Sequence, residues 1–236
     1  MKLGIMQPYF MPYIGYWQLL NAVDKYVVYD DVNFIKGGWI NRNRILVEGQ
    51  AKYFNIPMLG ASSFKLINEI GVNHDTNLKN KNLRVLEAAY KKAPFFDVVY
   101  PIMESILSYQ GDNLADFVTN SIKEVCKYLD INTSILLSSE LKKDNQLKAQ
   151  AKVLSICNLL GADEYYNAIG GQSLYSFSDF AENGIKLRFL NPTLTPYKQF
   201  KNEFQSGLSI IDVMMFNSVQ EIQNYLIDFQ LVSDEN

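Results

Sequence analysis

The chain has 236 residues, 48% hydrophobic and 20% charged, a balance that excludes wholesale disorder and supplies a large core without disulfide or metal staples. Its net charge is −3 and its pI is near 5.3, which excludes a strong electrostatic pull toward nucleic acid. No apolar run approaches the roughly 20 residues that span a bilayer, and Gln7 and Pro8 break the apolar start too early for a signal peptide, so a soluble cytoplasmic protein is expected.

Residues 2–7, KLGIMQ, form an apolar run stopped by Pro8 and predict a strand. Residues 13–23 carry Ile14, Trp17 and Leu20 at helical spacing, and YVVY at 26–29 predicts a second strand ending at Asp30-Asp31. A strand, a helix and a strand within about 30 residues make a βαβ unit with parallel strands. Residues 44–57 then predict a hairpin turning at Glu48-Gly49. Helices are expected over 78–92, closed by Pro94, and over 113–129, where Leu114, Phe117, Val125 and Leu129 share a stripe. The stretch 97–109 is helical in pattern but carries Pro101.

The alternation of strands and helices then returns. Strands are predicted at 133–137, 164–167 and 186–190, with a helix at 146–160 that stops at Gly161 and a short one from Ser178 to Asn183. Ser218-x-x-Glu221 opens the last helix as a capping box. The acidic stretch beyond Lys201, which holds no further basic residue, reads as a solvated face. The expected fold is α/β with a mostly parallel, Rossmann-like sheet in one domain over residues 1–236, into which 44–129 is inserted as a hairpin and a helical segment. No repeat, linker or low-complexity segment interrupts it.

In such sheets ligands bind beyond the carboxyl ends of strands, where this chain places Gln7-Pro8-Tyr9 and Asp30-Asp31. Tyr13, Gly15 and Tyr16 open the first helix, whose free N–H groups suit an anion, and Gly15 removes a side chain where a phosphate or ribose can approach. Lys36, Trp39, Asn41, Arg42, Asn43 and Arg44 combine a stacking ring with amides and guanidinium forks, a kit for a polar planar ligand. Asp30 and Asp31 repel one another unless a cation shares their site, and Lys36, Arg42 and Arg44 are the expected cations. The same carboxylates are candidate bases or, with further oxygen ligands, holders of Mg2+. Glu69 is another candidate base.

Gly170-Gly171 follows a strand and predicts a second ligand-facing loop, while Lys198 can meet a phosphate. Asp212 lies in the apolar run LSIIDVMMF and is expected to pair with an arginine or Lys198. The single histidine, His74, reads as an exposed loop residue without a partner and excludes His-rich metal sites. Cys126 and Cys157 are expected to be buried thiols.

The strings MKLGIMQPYFMPYIGYWQLLNAVDKYVVYDDV, GGWINRNRI, INEI, YNAIGGQSLY, YKQF and LSIIDVMMFN resemble the signature blocks of the WbqC-like protein family, from residue 1 to about 217. That resemblance implies a role in O-antigen or other surface-polysaccharide biosynthesis without bringing an assigned reaction. The start of the chain is also similar to the nucleotide-binding layout of the pantothenate synthetase and nucleotidylyltransferase superfamily, although Tyr13-Ile14-Gly15-Tyr16 keeps only the glycine of its His-x-Gly-His motif. The leading expectation is transfer of an acyl or aminoacyl group to a nucleotide-linked amino sugar. Tyr13, Gly15 and Tyr16 would cradle the nucleotide and Trp39 would stack on a ring. Arg42, Arg44 and Lys198 would meet the phosphates, and Asp30 or Asp31 would act as base. An ATP- and magnesium-dependent amide ligase that forms an adenylate is the alternative enzyme, and a non-catalytic sugar-nucleotide-binding assembly factor is the alternative outside enzymes.

Overall fold

The computed structural model describes residues 1–201 and 203–234. The chain begins β1 (Lys2–Met6), α1 (Ile14–Asn21), β2 (Lys25–Val28), β3 (Arg42–Val47), β4 (Gln50–Asn55), β5 (Met58–Leu59) and β6 (Gly71–Val72). Three helices follow, α2 (Thr76–Tyr90), α3 (Phe96–Ser108) and α4 (Leu114–Leu129), then β7 (Ser134–Leu137), α5 (Ala149–Leu160), β8 (Glu164–Ala168), α6 (Phe177–Glu182) and β9 (Lys186–Pro192). The chain ends with α7 (Ile210–Phe216), α8 (Val219–Leu226) and β10 (Phe229–Val232).

Side chains on successive strand residues point to opposite faces, so a strand covered on both faces must be apolar throughout. Leu3, Gly4 and Ile5 of β1 and Tyr26, Val27 and Val28 of β2 are buried accordingly. The main sheet has the order β10-β9-β8-β1-β2-β7, parallel except for β10, which runs antiparallel to β9. This is the doubly wound order, and the winding reverses between β1 and β8, where the carboxyl ends of neighbouring strands leave a crevice. One face packs Leu3, Ile5, Val27, Tyr165 and Phe189 with Val153 and Ile156 of α5 and Phe180 of α6. The other packs Tyr26, Val28, Tyr166 and Leu190 with α1, α8 and the helices α2–α4 that separate β2 from β7.

The expected strands and helices form within a few residues of their predicted limits, and the β3–β4 hairpin turns at Glu48 and Gly49, both with positive φ (53° and 75°). That pair of left-handed residues makes the tight turn whose twist matches its strands. The Ser218 capping box is present, with Ser218 N–H donating to Glu221 Oε2 at 2.7 Å. Helix α3 forms where the pattern placed a helix, and two further elements, α7 and β10, were not anticipated, each for an identifiable reason. Helix α3 runs through Pro101 because Val99, Met103, Ile106 and Leu107 are buried, and that packing outweighs one missing backbone bond. Helix α7 carries no amphipathic period because residues 210–215 are buried all round. The short edge strand β10 alternates too weakly to be read in advance.

Gln18 joins α1 to the far end of the chain. Its buried amide nitrogen donates to the carbonyls of Thr193, Tyr225 and Asp228 at 3.2, 2.8 and 2.9 Å. Gln18→Leu keeps the volume but strands buried carbonyls, so unfolding in urea should show a loss of about 2 kcal/mol. An unchanged midpoint would mean that water replaces the amide at no cost.

Candidate functional site

The loop from Gln7 to Tyr13 leaves β1 at the crevice, and Pro8 and Pro12 bring it no N–H groups of their own. The carbonyls of its buried residues Phe10, Met11 and Pro12 each find a donor: Asn43 Nδ2 to Phe10 O at 3.3 Å, Ser209 Oγ to Met11 O at 2.7 Å, and Trp17 Nε1 and Ile210 N–H to Pro12 O at 3.0 and 2.9 Å. Phe10 N–H donates to Trp39 O at 3.1 Å, and Tyr16 Oη to Gln7 O at 3.1 Å. Met11 takes a left-handed φ of 43°, a conformation held by these ties. Tyr9 and Tyr13 are half-buried. Burial raises both phenols above the ordinary value, with Tyr13 adding to the effect on Tyr9, so both remain protonated donors near neutrality. The space left by Gly15 is filled by the chain itself. A Cβ there would meet the Tyr13 ring at 2.6 Å, so the glycine admits that ring rather than leaving an opening for a phosphate.

Asp30 and Asp31 leave β2 beside this loop, and their partners differ from those expected. Asp30 is buried, and its carboxylate accepts from Ser139 N–H at 2.9 Å, Ser139 Oγ at 2.5 Å and Asn68 Nδ2 at 3.3 Å. It therefore ties β2 to the turns at 67–69 and 138–140. Asp31 pairs with Lys143 at 2.8 Å and Lys152 at 3.1 Å, not with Lys36, Arg42 or Arg44. Both lysine side chains are nearly fully buried, and Lys152 also lies 5.1 Å from the centre of the Tyr29 ring. Burial acts to raise the Asp31 carboxyl, but the hydrogen bonds from Lys143 and Lys152 outweigh it and hold the group below the usual carboxylate range. The Ser138 hydroxyl beside it acts in the same direction, and Asp31 Oδ1 is buried without a donor within hydrogen-bonding geometry among the described residues. Three of the four carboxylate oxygens already accept from protein donors, and two ammonium groups stand against Asp31 where a cation would be repelled, so this pair does not fit Mg2+. Among the described residues no group of three or more His, Cys, Asp or Glu side chains converges as a metal site.

The hairpin supplies a different arrangement. Register opposes Arg44 to Tyr53, which puts both on one face with Arg42. The Arg42 guanidinium lies 4.3 Å from the Tyr53 ring centre and that of Arg44 5.7 Å from the Trp39 ring, while the two rings are 6.3 Å apart. Arg42 Nε donates to Gly38 O at 3.1 Å and Arg44 Nη2 to Gly207 O at 3.3 Å. Neither guanidinium meets a carboxylate among the described residues, and Arg44 Nε is buried without any partner. Tyr53 was not singled out from sequence. The signal that identifies it is the register imposed by the Glu48-Gly49 turn. Asn41 and Asn43 serve this hairpin structurally, donating to Ile56 O and Phe10 O at 3.3 Å, and Lys36 is exposed on the preceding turn.

The remaining candidates fall elsewhere. Gly170 and Gly171 lie in a 3-10 turn (Ile169–Leu174) that follows β8, and the parallel pairing of β1 with β8 brings this turn alongside the Gln7 loop. Gly171 is required locally, because a Cβ would meet Asn167 Oδ1 at 2.6 Å. Glu69 is exposed and accepts from Leu66 N–H at 2.8 Å. Lys198 stands in a groove with Arg84, Lys92 and Lys201. Asp212 lacks the arginine or Lys198 partner expected of it among the described residues. Its fully buried carboxylate accepts from Tyr90 Oη at 2.9 Å, Tyr197 Oη at 2.6 Å and Gln199 Nε2 at 2.6 Å. Burial raises this carboxyl despite the three donors. His74 is half-buried, not a free loop residue, and its Nε2 donates to Gly111 O at 3.0 Å. Cys126 and Cys157 are buried free thiols, both pushed up to about 12 by burial, and so are not nucleophiles at neutral pH.

A doubly wound α/β chain whose switch-point loop is tied to a ring-and-guanidinium hairpin defines the class of protein: an α/β fold with a mostly parallel sheet covered by helices on both faces. The model of the WbqC-like protein family matches residues 7–224, and the chain belongs to that family. It is also 27% identical to uncharacterized protein Rv1507c of Mycobacterium tuberculosis over 229 residues, covering 95% of this chain and 97% of that protein. No solved structure matches it. Among the described residues no helix is long and apolar enough to cross a membrane.

The two buried carboxylates predict opposite pH behaviour. Asp31 has a lowered folded pKa, so its contribution to stability is present above the ordinary carboxylate range and is lost as pH falls through the folded value. Asp31→Asn, which leaves two buried ammonium groups without their anion, should destabilise by about 3 kcal/mol at pH 7, with the difference shrinking on acidification. Asp212 has a raised folded pKa, so wild type should gain on Asp212→Asn as pH falls and lose that advantage as pH rises through the folded value. Melting temperatures of both variants between pH 3 and 8 test the signs, and parallel profiles would refute them.

Proposed function

We propose that this protein is a group-transfer enzyme of bacterial surface-polysaccharide assembly that acts on a nucleotide-linked amino sugar. The observation that carries the reading is the exposed Trp39–Tyr53 pair interleaved with the guanidiniums of Arg42 and Arg44, which meet no carboxylate among the described residues. Aromatic faces stack on planar or sugar rings, and guanidinium forks recognise phosphate oxygens bidentately. The polysaccharide context is what the family resemblance implies. The switch-point loop beside the hairpin adds the phenols of Tyr9 and Tyr13 as donors for hydroxyl groups.

In this reading Asp30 is a positioning residue, since its three donors close it off from an attacking amine. Asp31, kept ionised by its lysines, is too weak a base to be assigned that role. The proposal therefore rests on recognition, and the transferred group is an acyl or aminoacyl unit delivered to a sugar amine.

A thermal-shift panel of uridine-, thymidine- and guanosine-diphosphate sugars, ATP and an acyl-coenzyme A, each with and without magnesium, tests it. A sugar nucleotide at about a hundred times its Kd should stabilise the fold by about 2.7 kcal/mol, a rise of about 5–10 °C. Arg42→Ala should weaken binding about tenfold, which is the loss of one charge-assisted contact. A response to ATP and magnesium alone would replace the transferase by an adenylate-forming ligase. A sugar nucleotide that binds but never turns over with any acyl donor would make the protein a binding factor.

A further inference from the structure

The C-terminal turn of α2, the β3–β4 turn and the segment 198–201 enclose an open groove of about 940 Å³. Its walls carry five cations, Arg84, Lys91, Lys92, Lys198 and Lys201, against two acids, Glu48 and Glu87. Both acids are already engaged, Glu87 with Lys91 at 2.9 Å and Glu48 with Lys52 at 3.4 Å. Arg84, Lys92, Lys198 and Lys201 thus meet no carboxylate among the described residues. This local excess of positive charge runs against a chain whose net charge is −3.

The two cationic walls come from distant parts of the sequence, yet they are registered by one buried group. Tyr90 immediately precedes Lys91 and Lys92, Tyr197 immediately precedes Lys198, and both phenols donate to Asp212. Tyr90 Oη also accepts from Leu46 N–H at 2.9 Å, which anchors the hairpin wall to the same point. The floor is apolar, made by Leu46, Ala88, Ala89 and Phe200. Phe200 takes a left-handed φ of 51° and packs edge-on against Phe216, with ring centres 4.7 Å apart. A bulky residue in that conformation is strained and persists where its surroundings hold it.

We propose that this groove binds the diphosphate of a phosphorylated small molecule, with the negative charges between the Arg84–Lys92 and Lys198–Lys201 walls and the rest of the ligand on the Leu46–Phe200 floor. Four unpaired cations suit a diphosphate better than a single phosphate or carboxylate, whose charge two cations would neutralise. The volume suits a small ligand rather than a polymer chain. The inference deepens the function proposed above, on which it rests in taking the ligand to be a nucleotide-type diphosphate ester, and it adds Arg84, Lys92 and Lys201 to Lys198 as the phosphate-binding set.

Calorimetric titration of the full chain with inorganic pyrophosphate, inorganic phosphate and uridine diphosphate tests the groove. Pyrophosphate should bind more tightly than phosphate and lose affinity with rising salt, and Lys92→Gln/Lys201→Gln should weaken it about tenfold or more. Lys123→Gln, on α4 away from the groove, should change nothing. The double substitution replaces exposed side chains, and an unchanged melting temperature will show that it folds. Absence of pyrophosphate binding, equal binding by the double variant, or binding only to phosphatidylglycerol vesicles would overturn the inference. A sugar nucleotide whose binding is lost in Arg42→Ala but unchanged in the double variant would keep the proposed function and remove the groove from it. Pyrophosphate binding lost in the double variant, with every sugar nucleotide silent, would keep the groove and remove the proposed function.

Discussion

The backbone of the loop between β1 and α1 has to be satisfied without water, and much of the candidate site follows from how that is done. Buried carbonyls at Phe10, Met11 and Pro12 each require a donor. Those donors come from Asn43 in the hairpin, from Trp17 one turn into α1, and from Ser209 and Ile210 at the start of α7. Two remote segments, the hairpin and the start of α7, are thereby fixed to the switch point of the sheet. The hairpin cannot move relative to β1 without breaking the Asn43 and Trp39 bonds, so the Arg42–Tyr53–Trp39–Arg44 arrangement is held rigidly beside the strand ends.

Electrostatics divides the molecule in a way that total charge conceals. Asp31 and Asp212 are the same residue type in mostly buried settings, yet one carboxyl is lowered and the other raised. The difference lies in the donors. Ammonium groups bring a full opposite charge to Asp31, whereas the phenols and amide around Asp212 bring dipoles that do not offset its desolvation. Asp212 is thus an expensive group to bury, and its position explains why it is there. It holds together the two segments that carry the cations of the groove.

How far the site was legible depends on sequence distance. Asp30-Asp31, the Gln7 loop and the Trp39–Arg44 stretch stand out because unusual residues follow one another at predictable strand ends. Their partners do not, since Lys152 lies 121 positions from Asp31 and Tyr90 lies 122 from Asp212. Nothing in the local pattern of KKDNQLKAQAK marks Lys143 and Lys152 as buried counterions, and the nearer cations Lys36, Arg42 and Arg44 were the reasonable but incorrect choice. Gly15 misled for a related reason. A glycine signals that something comes close, and only packing shows that the neighbour is Tyr13 of the same loop.

Local chemistry by itself determined the α/β alternation, the hairpin and its turn, the helix caps and the location of strand ends, because periodicity, turn residues and capping act over a few positions. The family blocks were equally visible, being contiguous strings. Tertiary structure alone decided the strand order that sets β8 beside β1, the helix α7 hidden in an unbroken apolar run, and the pairing of every buried charge. These depend on which distant surfaces exclude water together, and burial of that kind leaves no periodic trace in the chain.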